Sequence, residues 1–282
     1  FKYVPLFGII IAFKDFRYDK GIWGSEWNGF NNFRFLFKTN IIWELTFRTI
    51  AYNLVFMTLG VLVPVALALM LNEVRSRKLI KFYQTSFLLP YFPSWIVVSY
   101  IVYALLNPSG LVNNMLQYLG MERINWYQTP YPWIFLLPLI NTWKGMGYSA
   151  LIYYATLIGI NQEYYEAAEI DGAGSWHKVK YISIPFLVPV IIVLVLLNLG
   201  RLINGDFGLF YQVTQQESFP YLRETTDVIN TYVYRALRID GDIAASSAVS
   251  FYQSIVGFIM LVIANSLVRR YDKKSCFILI NI

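Results

Sequence analysis

Two cations stand inside otherwise apolar stretches of this chain: Lys144 within Trp133–Gly159, and Arg201 near the end of Phe186–Ile203. Asn141, Lys144 and Tyr148 share one helical face by their spacings of three, four and seven. Asn198, Arg201 and Asn204 or Gly205 recur at intervals of three or four. Such a set suits a sugar, whose pyranose faces lie on aromatic rings while amides and charges reach hydroxyls and carboxylates. A Lys or Arg at the centre of a membrane span costs about 2.5–3.5 kcal/mol on insertion scales, so it calls for a partner or a water-filled cavity. Neither stretch carries a carboxylate near its cation. Two readings stand side by side. A substrate carboxylate could be the partner, gripped bidentately by Arg, which favours an anionic substrate; or both side chains snorkel toward the outer surface or pair with another subunit.

Other chemistry is excluded by supply. The single cysteine, Cys276, rules out a disulfide within the chain, a cysteine zinc cluster and an iron–sulfur site, and the single histidine, His177, rules out a multi-histidine metal centre. No nucleophile, base and orienting group can be assembled from motifs, so no catalytic residue is assigned. His177 reads as a contact or solvated residue.

The elements that must hold these residues follow from composition. The chain has 282 residues, 57% hydrophobic and 14% charged, whereas soluble domains have about 25% charged residues. This is the composition of a membrane protein. The net charge of +6 is interrupted by long apolar runs rather than gathered on one face, so nucleic acid does not fit as a partner. A bilayer-crossing helix needs about 20 mostly apolar residues. Five stretches meet that need: Leu45–Leu71, Phe82–Leu106, Trp133–Gly159, Phe186–Ile203 and Ala244–Val268. The second is expected to kink at Pro90 and Pro93, which neighbouring helices can tolerate; the fourth is expected to start at Pro185 and Pro189. Phe1–Phe13 is apolar apart from Lys2 but too short to span, and reads as the outer half of a sixth helix whose first half lies upstream of this numbering.

Lys and Arg in short loops set orientation. Arg75, Arg77, Lys78 and Lys81 in one loop, and Arg269, Arg270, Lys273 and Lys274 after the last span, belong to the cytoplasm. Alternation then places 16–44, 107–132 and 204–243 outside and returns 160–185 to the cytoplasm. That last loop carries Glu163, Glu166, Glu169 and Asp171 against Lys178 and Lys180, net acidic where basic residues are the rule, which marks a candidate docking surface.

Within it, Glu163–Ile170 contains good helix formers, Gly172 and Gly174 permit a sharp turn, and Ser175 begins a second amphipathic stretch expected to end before Pro185. Ala167 and Ala168 offer a smooth face, Glu166 and Asp171 charges. By this physics alone the loop is an ordinary helical hairpin between two spans.

The spelling of the loop says more. Glu166-Ala167-Ala168, three residues, Gly172, nine residues, then Ile182-Ser-Ile184-Pro185 resembles the EAA signature of membrane subunits in bacterial ABC importers, with Ile184 where Leu is usual. The resemblance implies an all-α membrane protein with the fold of a six-helix type I ABC importer transmembrane domain, its first helix truncated, with cytoplasmic EAA coupling helices. It implies that Glu166, Ala167, Ala168, Asp171, Gly172 and Gly174 couple the chain to an ATPase subunit. No GxxxxGK[ST] phosphate loop occurs, so ATP and Mg would be held by two separate ATPase subunits and no cofactor by this chain. A second homologous permease, an extracytoplasmic solute-binding protein, membrane lipid and an oligosaccharide complete the implied partners, in a bacterial cytoplasmic (inner) membrane. Residues 1–282 would form a single transmembrane domain, with 160–185 the coupling loop and 204–243 an extracytoplasmic connection.

Tyr3-Val-Pro-Leu-Phe-Gly-Ile-Ile-Ile-Ala-Phe-Lys-Asp-Phe16 is similar to one carbohydrate-uptake subgroup that imports complex oligosaccharides, including polyuronides such as alginate, with pectin-type importers equally compatible. The sugar contacts of the maltose importer's larger permease, a member of the same family, transfer by their offset from the EAA motif to Asn141, Lys144, Gly145 and Tyr148 and to Asn198, Arg201, Leu202 and Gly205. Lys144, Arg201 and Leu202 depart from that neutral-sugar pattern. Alternatives are an importer of neutral oligosaccharides and an ion-coupled secondary transporter, although the spans lack the carboxylates such coupling needs. Trp23, Trp27 and Phe30, beside Gly21, Gly24 and Gly29, read as interfacial packing, or as a lid or contact for a binding protein. The carboxylates Asp206, Glu217, Glu224, Asp227, Asp240 and Asp242 show no EF-hand spacing and read as binding-protein contact or solvated surface. No role is assigned to Cys276–Ile282.

Overall fold

The computed structural model describes residues 4–271; the tail Cys276–Ile282 and its expected cytoplasmic Lys273 and Lys274 lie outside the described residues. Val4–Phe13 is wound as a 3₁₀ helix rather than the α-helix expected. It stops where Lys14–Asp15 (β1) pairs antiparallel with Glu26–Trp27 (β2). Between the two strands lies the one-turn α1, Gly21–Gly24. Helices follow: α2 Asn31–Lys38, α3 Ile41–Asn72, α4 Arg77–Leu88, α5 Trp95–Leu106, α6 Leu111–Tyr118, α7 Trp133–Ile158, α8 Gln162–Ile170, α9 Ser175–Lys178, α10 Ile184–Leu199, α11 Arg223–Thr226, α12 Ile229–Arg238 and α13 Ile243–Tyr271.

Among the described residues, four helical stretches are long and apolar enough to cross a membrane: Ile41–Asn72, Trp95–Tyr118, Ser175–Leu199 and Ile243–Ile263. The expected span Trp133–Gly159 forms the 26-residue α7, but Asn141, Thr142 and Lys144 interrupt its apolar character. Two expectations are corrected. Phe82–Leu106 is not one kinked helix: α4 ends, Leu89–Tyr91 makes a 3₁₀ turn, and α5 begins at Trp95. Pro90 and Pro93, three residues apart, remove two N–H donors, more than a kink can absorb. Ser94 restarts the helix, its hydroxyl accepting from the Val97 N–H at 3.4 Å.

The stretch from Ser175 does not end before Pro185. α9 passes through a π-helical turn, Val179–Ser183, directly into α10, with Pro185 as its second residue and Pro189 inside it. The Ile184 N–H reaches back to the Val179 carbonyl. The wider π turn lets the chain pass a residue with no N–H to donate.

The chain forms two compact units, one of residues 4–53, 99–134 and 199–271, the other of Leu54–Val98 and Phe135–Asn198. In the first, Ala12, Phe33 and Leu36 pack with Ile42 and Leu45, Ile203, Ile229, and Ala248 and Val249. Asp227 holds Arg235 at 2.6 Å and accepts from the Thr231 hydroxyl at 2.7 Å. In the same unit, Glu217 accepts from the Tyr211 hydroxyl and Glu224 from that of Tyr131. Trp27 stacks on Phe13, with centroids 5.9 Å apart, while Trp23, Trp27 and Phe30 remain largely exposed.

The second unit buries Ala68 of α3, Tyr153 and Leu157 of α7 and Leu187 of α10 together. Water exclusion gives little drive between helices in lipid, so close packing must supply the attraction. Gly147 shows it: a Cβ there would overlap the Phe87 carbonyl, so the α7 and α4 backbones approach as only glycine permits.

Candidate sugar site and coupling hairpin

On α7, Lys144 turns toward the break between α4 and α5. Its Nζ donates to the carbonyl oxygens of Pro93 at 2.6 Å, Tyr91 at 2.8 Å and Pro90 at 3.5 Å. It also lies 5.3 Å from the Trp95 ring centroid and 5.7 Å from that of Tyr91. A helix end leaves carbonyls without intrahelical donors, and an ammonium satisfies them with charge-assisted bonds. Lys144 thus finds its partners within the protein and needs no external carboxylate.

One turn along α7, Tyr148 stacks on Tyr91 with centroids 4.9 Å apart and planes 12° from parallel. Both rings are nearly half exposed, at 49% and 45%, so the pair presents aromatic surface. The Asn141 side chain, part-buried, makes no hydrogen bond within the described residues. A Cβ on Gly145 would meet open space. The structure thus brings Asn141, Gly145 and Tyr148 to an accessible stretch of α7 with Lys144 fixing Tyr91 and Trp95 beside it. Tyr91 and Trp95 were missed by sequence reasoning; the paired prolines flanking Tyr91 were the available signal, since broken helices in transporters mark binding sites.

Asn198 is exposed near the end of α10, its amide nitrogen donating to the Leu194 carbonyl at 2.9 Å. In the other unit, Arg201 is exposed and its guanidinium takes no hydrogen bond or ion pair among the described residues. Leu202 is buried. Gly205 is also buried: its N–H donates to Asn230 Oδ1 at 2.9 Å, and a Cβ would meet Val228 Cγ2 at 2.8 Å. This packing by itself accounts for a glycine at the position.

The hairpin is built as a rigid piece. Asn161 caps α8, its side-chain oxygen accepting from the Glu163 N–H at 3.1 Å. α8 closes with Gly172 at φ +77°, the Gly172 N–H on the Glu169 carbonyl and the Ala173 N–H on the Ala168 carbonyl. This is a Schellman ending, which needs glycine at that one position; Gly174, at φ −70°, is ordinary. Two side-chain links join the arms. Lys178 Nζ lies 2.6 Å from Glu169 Oε1, and the Tyr165 and Ser183 hydroxyls share a 2.9 Å bond at the π turn. Glu166, Ala167, Asp171 and Gly172 stay exposed, as do Ile170 and Trp176, leaving an apolar and acidic face that no described residue covers.

Comparison with known proteins gives this geometry its context. Residues 58–273 match the family model described as binding-protein-dependent transport system inner membrane component. The polygalacturonan/rhamnogalacturonan transport system permease protein YteP of Bacillus subtilis (strain 168) is 34% identical over 98% of this chain and 85% of its own. The crystal structure of a bacterial ABC transporter involved in the import of the acidic polysaccharide alginate contains a chain similar at TM-score 0.82 and 33% identity, over 96% of this chain and 90% of that one. A second structure, of a bacterial alginate ABC transporter in complex with an alginate pentasaccharide-bound periplasmic protein, matches at TM-score 0.81 and 33% identity over 96% and 89%. The fold is that of a type I ABC importer transmembrane domain. With most of its length inside the family model and a relative above 30% identity along nearly all of it, the chain belongs to the binding-protein-dependent transport system inner membrane components.

Proposed function

We propose that the chain is the permease of an importer that carries oligosaccharides, anionic ones in particular, across the cytoplasmic membrane. The observation that carries the anionic reading is Arg201, an exposed guanidinium with no protein partner among the described residues. A substrate carboxylate is its natural complement, since the planar fork binds carboxylates bidentately. Tyr91, Tyr148 and Asn141 supply ring-stacking surface and a free amide, the pattern of a sugar site. The relative named for polygalacturonan/rhamnogalacturonan transport and the transporter structure described for the acidic polysaccharide alginate support the same reading.

The assembly would comprise this chain, a second permease, two ATPase subunits that bind ATP and Mg, and an extracytoplasmic binding protein that delivers the sugar. Glu166–Gly174 would dock on an ATPase subunit. Because Glu169–Lys178 ties α8 to α9 and Tyr165–Ser183 ties it to the π turn, a displacement of α8 would pass to α10 rather than dissipate in the loop. Transport requires each state to bind the sugar differently, since equal affinity shifts no equilibrium.

The test is ATPase activity of the assembled transporter with its binding protein, comparing galacturonate oligosaccharides with malto-oligosaccharides. Selective stimulation by the acidic sugars, weakened in Arg201→Ala, supports the reading; equal stimulation by both, unaltered by the substitution, removes the charge argument.

A further inference from the structure

The unit of residues 4–53, 99–134 and 199–271 contains a cavity of about 330 Å³, lined in part by Gly200, Asn204, Ser250, Gln253, Ser254 and Gly257. This is within the range of about 300–1,000 Å³ typical of small-molecule sites. Ser250, Gln253 and Ser254 belong to Ile243–Ile263, a stretch apolar enough to cross a membrane. Polar side chains in such a helix face the bundle interior or a wet cavity.

Gln253 is 9% exposed and firmly oriented. Its two Nε2 hydrogens are shared among three acceptors, the Ile203 carbonyl at 2.9 Å, Asn204 Oδ1 at 2.8 Å and Asn230 Oδ1 at 3.0 Å. Its Oε1, by contrast, accepts no hydrogen bond from the described residues, although the side chain lines the cavity. The Ser250 and Ser254 hydroxyls each donate back along the helix, to the Ser246 and Ser250 carbonyls at 2.9 Å, so their oxygens are left as acceptors. Asn204 Oδ1 is engaged by Gln253, and its amide nitrogen donates to no described residue. At Gly257 an added Cβ would come within 3.0 Å of Ile203 Cγ2, so the helix lies close against Ile203 at that edge of the cavity.

The cavity therefore offers three acceptor oxygens and one amide donor, with no cation among the described residues that line it. A carboxylate would find no counter-charge there. A lipid chain or an apolar helix would desolvate the acceptors and replace none of their bonds. Hydroxyl groups satisfy the set, because each can donate to an amide or serine oxygen and accept from an amide nitrogen.

We propose that this cavity is a hydroxyl-reading subsite of the transported oligosaccharide, separate in chemistry from the carboxylate-reading role given to Arg201. The proposal rests on the oligosaccharide-import reading above.

Its test uses the assembled transporter in liposomes with Cys276, the only cysteine of this chain, replaced by serine. Ser254→Cys and, as a control outside the cavity, Ile255→Cys are each treated with a hydrophilic thiosulfonate, and labelling of this chain is followed. Ser254→Cys should label faster than Ile255→Cys and slow about ten-fold when a galacturonate trisaccharide is present at ten times its half-saturating concentration, the protection expected from occupancy. Ser250→Ala and Ser254→Ala should each raise the uptake KM about five-fold, the worth of one hydrogen bond, with kcat retained. Labelling of Ser254→Cys that the sugar does not slow, in a transporter that still imports it, overturns this proposal alone. So does labelling no faster than at Ile255→Cys. A parent transporter that imports no oligosaccharide overturns the importer reading together with this subsite.

Discussion

Lys144 Nζ sits 2.6 Å from the carbonyl oxygen of Pro93, so a cation placed mid-helix in α7 closes a helix break on the α4–α5 segment. The bond links two features that look unrelated in sequence, a charged residue in an apolar run and a pair of prolines. Each removes the cost of the other: the ammonium gains acceptors, and the interrupted backbone gains donors.

Lys144→Met removes these donors while keeping much of the side chain's length. It should destabilise the assembled transporter by about 1.5–3 kcal/mol, the worth of hydrogen bonds to a charged group. The midpoint of thermal unfolding in lipid nanodiscs checks this; Lys144→Arg, which keeps the charge and the donors, should recover part of the loss.

Tyr148 tests the aromatic surface. Tyr148→Ala removes the partner of Tyr91 and should raise the KM for oligosaccharide uptake about ten-fold, in line with about 0.5–1.5 kcal/mol for ring stacking and further loss of contact area. Tyr148→Phe keeps the ring and should remain within about two-fold of the parent. An equal effect of both substitutions would assign the role to the hydroxyl instead.

Tyr165 and Ser183 test the rigidity of the hairpin. Tyr165→Phe or Ser183→Ala should leave basal ATP hydrolysis by the assembly intact while lowering the sugar moved per ATP hydrolysed. The double substitution should cost no more than either alone, since both remove the same bond. Additive losses would show that the two hydroxyls act separately.

Acid should loosen the Glu169–Lys178 clasp. The Lys178 ammonium, by hydrogen bond and by charge, holds the Glu169 carboxyl below its ordinary value of 4.5. A depressed folded value means that the clasp contributes fully above the ordinary value and is lost as pH falls through the lowered one. Hydrogen exchange of Gln162–Lys178, corrected for the intrinsic rate, should therefore rise below pH 4.5 in the parent. Glu169→Gln should show that faster exchange already at neutral pH and little further response to acid.

The EAA hairpin was the most legible part of the sequence, because fixed offsets from Glu166 to Pro185 specify it and Gly172 has one conformational use. Most apolar runs became helices for the same reason that they were recognised: length and composition. What the runs did not disclose was continuity. Pro185 has the signature of a helix start but lies inside a continuous helix, because the preceding π turn relieves it; Pro90 and Pro93 suggest a kink but make a break, because together they remove two backbone donors, and Lys144 satisfies the carbonyls left there. Such outcomes depend on neighbours distant in sequence. Tyr91 and Trp95 carry no signal of their own for that reason, and the close approach of Val228 to Gly205 is equally invisible in the sequence. Asn141, Tyr148 and Arg201 kept the accessibility that their polarity in apolar runs suggested.

The most direct test of the central claim is accumulation of a labelled galacturonate oligosaccharide inside proteoliposomes that hold the complete transporter, with the binding protein outside and ATP at the ATPase face. The account predicts accumulation that depends on ATP, is abolished when Glu166–Gly174 is replaced by a flexible linker of equal length, and is weakened by Arg201→Ala. Vigorous ATP hydrolysis with no oligosaccharide accumulated, acidic or neutral, would contradict it.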